Sequence, residues 1–320
     1  MMTTNRTIIL SFLSILFSFG LGALSSTASA QEQLDTRYTI QSFRAGKGPT
    51  CLTFDGANIW VANVFANTVI KLRASDGERL GNFQVGGNPS YLTFDGENIW
   101  VANTNGLSIT KLRASDGALL GIFPTDGDNP EGIAWDGANI WVALSNEGAV
   151  AKLRASDGTR ELTVPVSTLP HGVIFDGTYI WVANWGDTSV DKIQTDGVVV
   201  GEFFAGRRPN TLVSDGAKIW VTNAARIQDG TVTVLRASDG MHKGVIRASD
   251  TPAGIAFDGS NIWVANSGDD TVIRLRAKDG KETGIFQVDA GPTGILFDGT
   301  SIWVACNDTD TVNKITPGAQ

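Results

Sequence analysis

The decapeptide FDGANIWVAN occupies residues 54–63, and near-copies of it stand at 94–103, 135–144, 175–184, 214–223, 257–266 and 297–306. No other feature constrains the fold as tightly. The tryptophans of the seven copies, Trp60, Trp100, Trp141, Trp181, Trp220, Trp263 and Trp303, are spaced by 40, 41, 40, 39, 43 and 40 residues. A period near forty, with several short strands in each unit, belongs to a four-stranded propeller blade rather than to a helical solenoid.

Each unit reads as a short apolar strand (CLTF), a D-G turn, a second strand (NIWVAN), a third (NTVIKLRA), an SDG turn and a fourth (RLGNFQVG). Asp-Gly between β-rich runs signals a hairpin, because glycine tolerates positive φ and aspartate bonds to the turn backbone. IWVA is apolar on both faces and is expected between neighbouring blades. VIKLRA and GNFQVG alternate apolar with polar residues, as strands nearer the rim do. Seven equal tryptophans suit a core in which each ring buries ~150–250 Å². The motif asparagines Asn63, Asn103, Asn184, Asn223 and Asn266 are expected to bond the loop that follows, and the RASDG copies to form solvated turns on the opposite face.

The ends of the chain set the blade count. YTIQSFRAGKGP (38–49) matches a fourth strand with no earlier strands before it, and the chain stops after the third-strand piece DTVNKITPGAQ. The fold class is therefore all-β, a seven-bladed β-propeller over residues 38–320. The N-terminal strand completes blade seven and hides the free sheet edges.

Residues 1–30 stand apart from this fold. Arg6 is their only charge, residues 8–24 are an apolar run and Ala28-Ser29-Ala30 fits a small-residue cleavage site, which together read as a signal peptide followed by a short linker over 31–37. An exported, periplasmic or extracellular protein is expected, and it is expected to be a monomer with no second run able to span a membrane. Losing Arg6 takes the formal charge from −8 to −9, and an acidic surface argues against nucleic acid as a partner. Two cysteines are too few for a disulfide scaffold. Cys51 opens the first strand of blade one and Cys306 ends the second strand of blade seven, so a disulfide fastening the ring is one expectation.

The pattern P-x-G-I-x-F-D-G-x-x-I-W-V-A-N-x-x-x-x-T-V-x-K-L resembles bacterial seven-bladed propellers of the YncE-type, NHL-repeat and streptogramin-lyase-like (virginiamycin B lyase-like) group, over essentially all of 38–320. WD40 proteins are a poorer match, since the one Trp-Asp pair, Trp135-Asp136, does not end a third strand. The lyase resemblance implies magnesium-assisted elimination with His171 and Glu131 near the base. Two departures stand against it: Asn where lyase-like relatives tend to carry Glu after WVA, and one histidine, His171, near the channel, with His242 in a fourth strand.

Departures from the repeat point to a site. The residues after the seven leading prolines are Thr50, Ser90, Glu131, His171, Asn210, Ala253 and Thr293, which line one end of the channel. Glu131 and His171 fall on adjacent blades, where a carboxylate and an imidazole share a proton, bind a metal or hold a polar ligand. Trp185, Arg207, Arg208 and, in a lengthened blade-five loop, Arg226 add to the same side. No G-x-S-x-G nucleophile, zinc-spaced cysteines or phosphate loop accompanies them. The expected function is ligand or protein binding through one mouth over blades three to five, without a cofactor. The alternative is the metal-assisted lyase, with magnesium as its cofactor.

Overall fold

In the computed structural model, residues 37–126, 128–225 and 230–317 are described. They form seven four-stranded antiparallel sheets. Six are built from consecutive strands, the first from Pro49–Phe54, Asn58–Asn63, Thr68–Arg73 and Arg79–Gln84. The seventh combines Pro292–Phe297, Ile302–Cys306 and Thr311–Pro317 with the N-terminal strand Tyr38–Arg44, in register from Tyr38 opposite Pro317 to Arg44 opposite Thr311. The ring closes as expected. The expected signal peptide, and the linker except for Arg37, lie outside the described residues.

The repeated decapeptide builds the inner hairpin of every blade. Its tryptophan is buried, at most 2 % exposed, and its strand alternates between two interfaces. Trp60 and Ala62 pack on Leu92, Ile99 and Val101 of blade two, while Ile59 and Val61 pack on Trp303 and Ala305 of blade seven. A buried indole N–H needs an acceptor, and the motif's aspartate supplies it in all seven blades at 2.7–2.9 Å. The second oxygen of Asp55 accepts from the backbone amides of Ala57 and Asn58. Gly56 follows at φ 95°, where a side chain would be strained. The FDG tripeptide is thus both the turn and the anchor of the tryptophan.

The third strand departs from the expected gradient. It is buried almost throughout, and only the fourth strand alternates toward solvent. The reason is its lysine, which lies over the tryptophan of its own blade and reaches the next one. Lys71 sits 5.0 Å from the Trp60 ring and donates to the Ala114 carbonyl of blade two at 2.7 Å. Lys111, Lys152, Lys192 and Lys314 do the same to Ala155, Thr195, Ala237 and Ala74 at 2.6–2.9 Å. In blade five Val234 takes the lysine's place, and Lys218 of the second strand bonds Ala277 instead. In blade six Arg274 lies over Trp263 and donates to the Tyr38 hydroxyl of the closing strand. The RASDG turns that supply most of these carbonyls are otherwise solvated, as expected, with exposed Arg73–Asp76 and Arg113–Asp116 pairs.

The asparagines mostly behave as expected: Asn103, Asn184 and Asn223 donate across the following loop to Ser108 or Thr110, Ser189 and Thr231. Asn63 instead accepts from Gly46 N and donates to Val61 O.

The expected Cys51–Cys306 disulfide is not formed, and both thiols are free. Alternation along Ile302–Cys306 is the cause. Trp303 and Ala305 face blade one, whereas Ile302, Val304 and Cys306 face blade six. Cys51 points the other way, toward the backbone of Leu92 in blade two. Burial raises both thiols, Cys306 to about 12.

Two measurements check this reading. Asp95→Ala leaves the Trp100 N–H buried and unpaired and is expected to cost about 2–3 kcal/mol in urea unfolding, while Asp116→Ala in a solvated turn leaves the midpoint nearly unchanged. Thiol titration of unreduced protein in denaturant should find both cysteines reactive, and Cys306 almost unreactive without denaturant.

Candidate functional site

The innermost strands of all seven blades run along a central channel, and they enclose a cavity of about 450 Å³. Their packing is tightest where glycine stands two residues after the leading proline. A Cβ on Gly132 would lie 2.1 Å from the His171 carbonyl, and one on Gly172 2.4 Å from the Asn210 carbonyl. Blade two breaks this rule with Tyr91, whose ring lines the cavity.

The walls are largely apolar, from Leu52, Leu92, Ile133, Val173, Leu212 and Ile255. Many hydroxyls among the lining residues are satisfied by backbone. Thr50 donates to carbonyls of blade two, Thr293 to Thr50 O and Thr211 to Ala253 O. The groups left for chemistry gather on one side. His171 Nε2 lies 3.8 Å from Glu131 Oε2. Its Nδ1 is 3.1 Å from the Tyr91 hydroxyl and 3.4 Å from Asn210 O. Without a proton Nδ1 accepts from the Tyr91 hydroxyl, and with one it donates to Asn210 O. The Tyr91 and His171 rings meet edge to face with centroids 5.4 Å apart. Trp185 lies 5.6 Å beyond His171, and the Arg208 guanidinium 5.6 Å from the Trp185 ring.

Burial sets the charge of this cluster. It pushes Glu131 up from 4.5 to about 7, although the hydroxyls of Ser90 and Thr104 partly offset it. It pushes His171 down from 6.5 to about 4, against a smaller opposing effect of the Asn210 carbonyl. Burial, with the Cys51 and Glu131 charges, also holds Tyr91 well above 10. Near neutral pH the His171–Glu131 contact therefore joins a neutral imidazole to a carboxyl that is about half protonated. It is not an ion pair.

The structure brings together Glu131, His171 and Asn210 on the cavity wall, with Trp185 and Arg208 stacked outward from them. Arg208 holds a left-handed backbone, φ 54°, at the residue before the proline, where blades one and seven use glycine. Arg207 is exposed beside it, with no described contact to the cluster. Arg226 lies outside the described residues. Tyr91 and its neighbours Ser90 and Thr104 extend the polar side to blade two, so the cluster runs from blade two to blade five. The cavity itself is axial rather than confined to blades three to five. Comparing the second residue after each proline (Cys51, Tyr91, Gly132, Gly172, Thr211, Gly254, Gly294) would have singled out the one aromatic group.

Magnesium, which the lyase resemblance implies, takes octahedral oxygen ligands, commonly one or two carboxylates. The cavity offers one carboxyl, and burial favours its protonated form. Among the described residues no group of three or more His, Cys, Asp or Glu could hold a metal ion. The donor set does not fit. Among the described residues, too, no helix is long and apolar enough to cross a membrane.

The sign of the Glu131 shift makes a testable statement. A carboxyl raised from 4.5 to about 7 costs nothing below pH 4.5, and its penalty grows as pH rises, becoming complete above about 7. Glu131→Gln should therefore gain stability over the native chain progressively from pH 4.5 to 7, by at most about 3 kcal/mol. Thermal unfolding at several pH values reads this difference.

No protein-family model matches the chain, and no curated protein does. Solved structures do. A streptogramin B lyase matches at 20 % identity over 87 % of this chain and 97 % of its own, with a TM-score of 0.71. A catalytically inactive histidine-to-alanine variant of virginiamycin B lyase from Staphylococcus aureus, with quinupristin, matches at 19 % identity over 87 % and 99 %, with a TM-score of 0.74. Hydrazine synthase of Kuenenia stuttgartiensis matches at 19 % identity over 85 % and 96 %, with a TM-score of 0.72. Such different chemistries on one architecture mean that the likeness carries the fold, and that function has to be argued from the site. The chain thus has the seven-bladed propeller fold of the streptogramin lyases.

Proposed function

We propose that the protein is a binding propeller that takes a small organic ligand into the axial cavity, on the side formed by Tyr91, Glu131 and His171, with Trp185 and Arg208 stacked outward at its edge. The observation that carries this reading is the contrast within one cavity: apolar walls and self-satisfied hydroxyls around most of the ring, and a few convergent polar groups on one side. That combination is the usual make-up of a small-molecule site. On this reading the ligand is met outside the cytoplasm, after removal of residues 1–30, and N-terminal sequencing of the exported protein checks that step.

A second reading, an elimination enzyme acting like the lyases that share its fold, has one observation in its favour. A carboxyl near 7 suits a general base at neutral pH. Against it stand the single imidazole of the cluster and the poor donor set for magnesium.

One experiment separates the two. Quinupristin is incubated with the protein with and without magnesium, and a panel of small organic acids, amides, amines and phenols is screened by thermal shift. Binding predicts intact quinupristin and at least one panel compound whose stabilisation disappears in the Glu131→Gln, His171→Ala, Trp185→Ala, Arg208→Ala variant. Magnesium-dependent opening of quinupristin supports the lyase, and a shift that survives in the quadruple variant removes the site.

A further inference from the structure

The charge and hydrogen-bonding character of the cavity narrow the class of ligand, granted the binding reading above. Of the residues that line it, Glu131 is the one carboxylic acid, and no lysine or arginine is among them. The groups facing Glu131 are His171, Tyr91, Ser90 and Thr104. None of them is a cation at neutral pH, because the imidazole is held neutral by burial. A carboxyl in an apolar cavity without a positive partner is costly to ionise, and a ligand cation removes that cost. Hydrogen bonding points the same way. The hydroxyls of Thr50, Thr211 and Thr293 already have carbonyl acceptors and are not free to donate to an anion.

Aromatic groups stand beside the carboxyl rather than opposite it. Tyr91 and His171 form the wall next to Glu131, and Trp185 continues it outward. An organic cation gains both from a carboxylate and from an aromatic neighbour. An anion would meet Glu131 and an acidic protein of formal charge −8.

We propose that the axial cavity selects a compact organic ammonium ion, seated with its N–H groups toward Glu131 beside Tyr91 and its apolar body against the Leu92 and Ile133 wall. Arg208, outside the cavity on Trp185, is a rim charge that such a ligand passes. It is not a counter-ion for it.

The test uses benzylammonium, benzyl alcohol and benzoate as probes of nearly equal shape, titrated calorimetrically at pH 7.5 into the full-length protein and its variants. Benzylammonium should bind about tenfold or more tightly than benzyl alcohol, the size of one charge-assisted hydrogen bond, and benzoate most weakly. Glu131→Gln should abolish the preference for the amine, with circular dichroism showing the ring intact, and Asp116→Ala in the opposite-face turn should keep it. Benzoate binding as tightly as the amine, a preference surviving Glu131→Gln, or no benzylammonium binding overturns the assignment. If benzyl alcohol or benzoate still binds and His171→Ala weakens it, only the ligand class falls. If none of the three responds to His171→Ala or Glu131→Gln, the cavity reading falls with it.

Discussion

Each blade depends on one buried indole whose N–H is accepted by an aspartate five residues earlier. The indole fills the interface with the next blade, the carboxylate that satisfies it also closes the turn, and a cation from its own blade lies over its ring. That cation then ends on a carbonyl of the neighbouring blade. The result is a chain of contacts running once around the ring. Each blade is tied to the next by apolar packing and by a charged group whose burial is tolerable because it is fully engaged. Where the pattern changes, the tie is kept by other means, with Lys218 in blade five and Arg274 meeting the closing strand in blade six.

Because the ties lie outward of the axis, the innermost strands are free to differ. Glycine two residues after the proline lets adjacent strands approach closely, and the residue just after the proline faces the channel. Blades two to five use that freedom to place a phenol, a carboxyl, an imidazole and an amide together. Low polarity around the cluster moves the carboxyl and the imidazole toward their neutral forms. A site with little resident charge of its own responds strongly to the charge of whatever occupies it.

Much of this was legible from residue order alone. The forty-residue period, the D-G turns and the orphan N-terminal strand specify seven blades and their closure, since a propeller is assembled from local hairpins whose signals lie within about ten residues of one another. The pairing of Glu131 with His171 was legible too, because equivalent positions in adjacent blades are neighbours. Less legible were contacts that depend on direction or on distant partners. Lys71 finds its acceptor 43 residues away, so a strand that alternates in sequence is buried in space. Tyr91 meets His171 from 80 residues away, across non-adjacent blades.

The two cysteines mark the boundary most clearly. Their sequence positions place them at the same end of adjacent blades, yet strand alternation turns Cys306 toward blade six and Cys51 toward blade two, and no bond forms. Sequence alone determined the repeat, the blade count, the closing strand and the blades on which the polar exceptions fall, because those follow from spacing. Tertiary structure decided side-chain direction, burial and therefore charge. It made Glu131 a half-protonated carboxyl and His171 a neutral imidazole in one cavity, because desolvation depends on what seven separate strands enclose together.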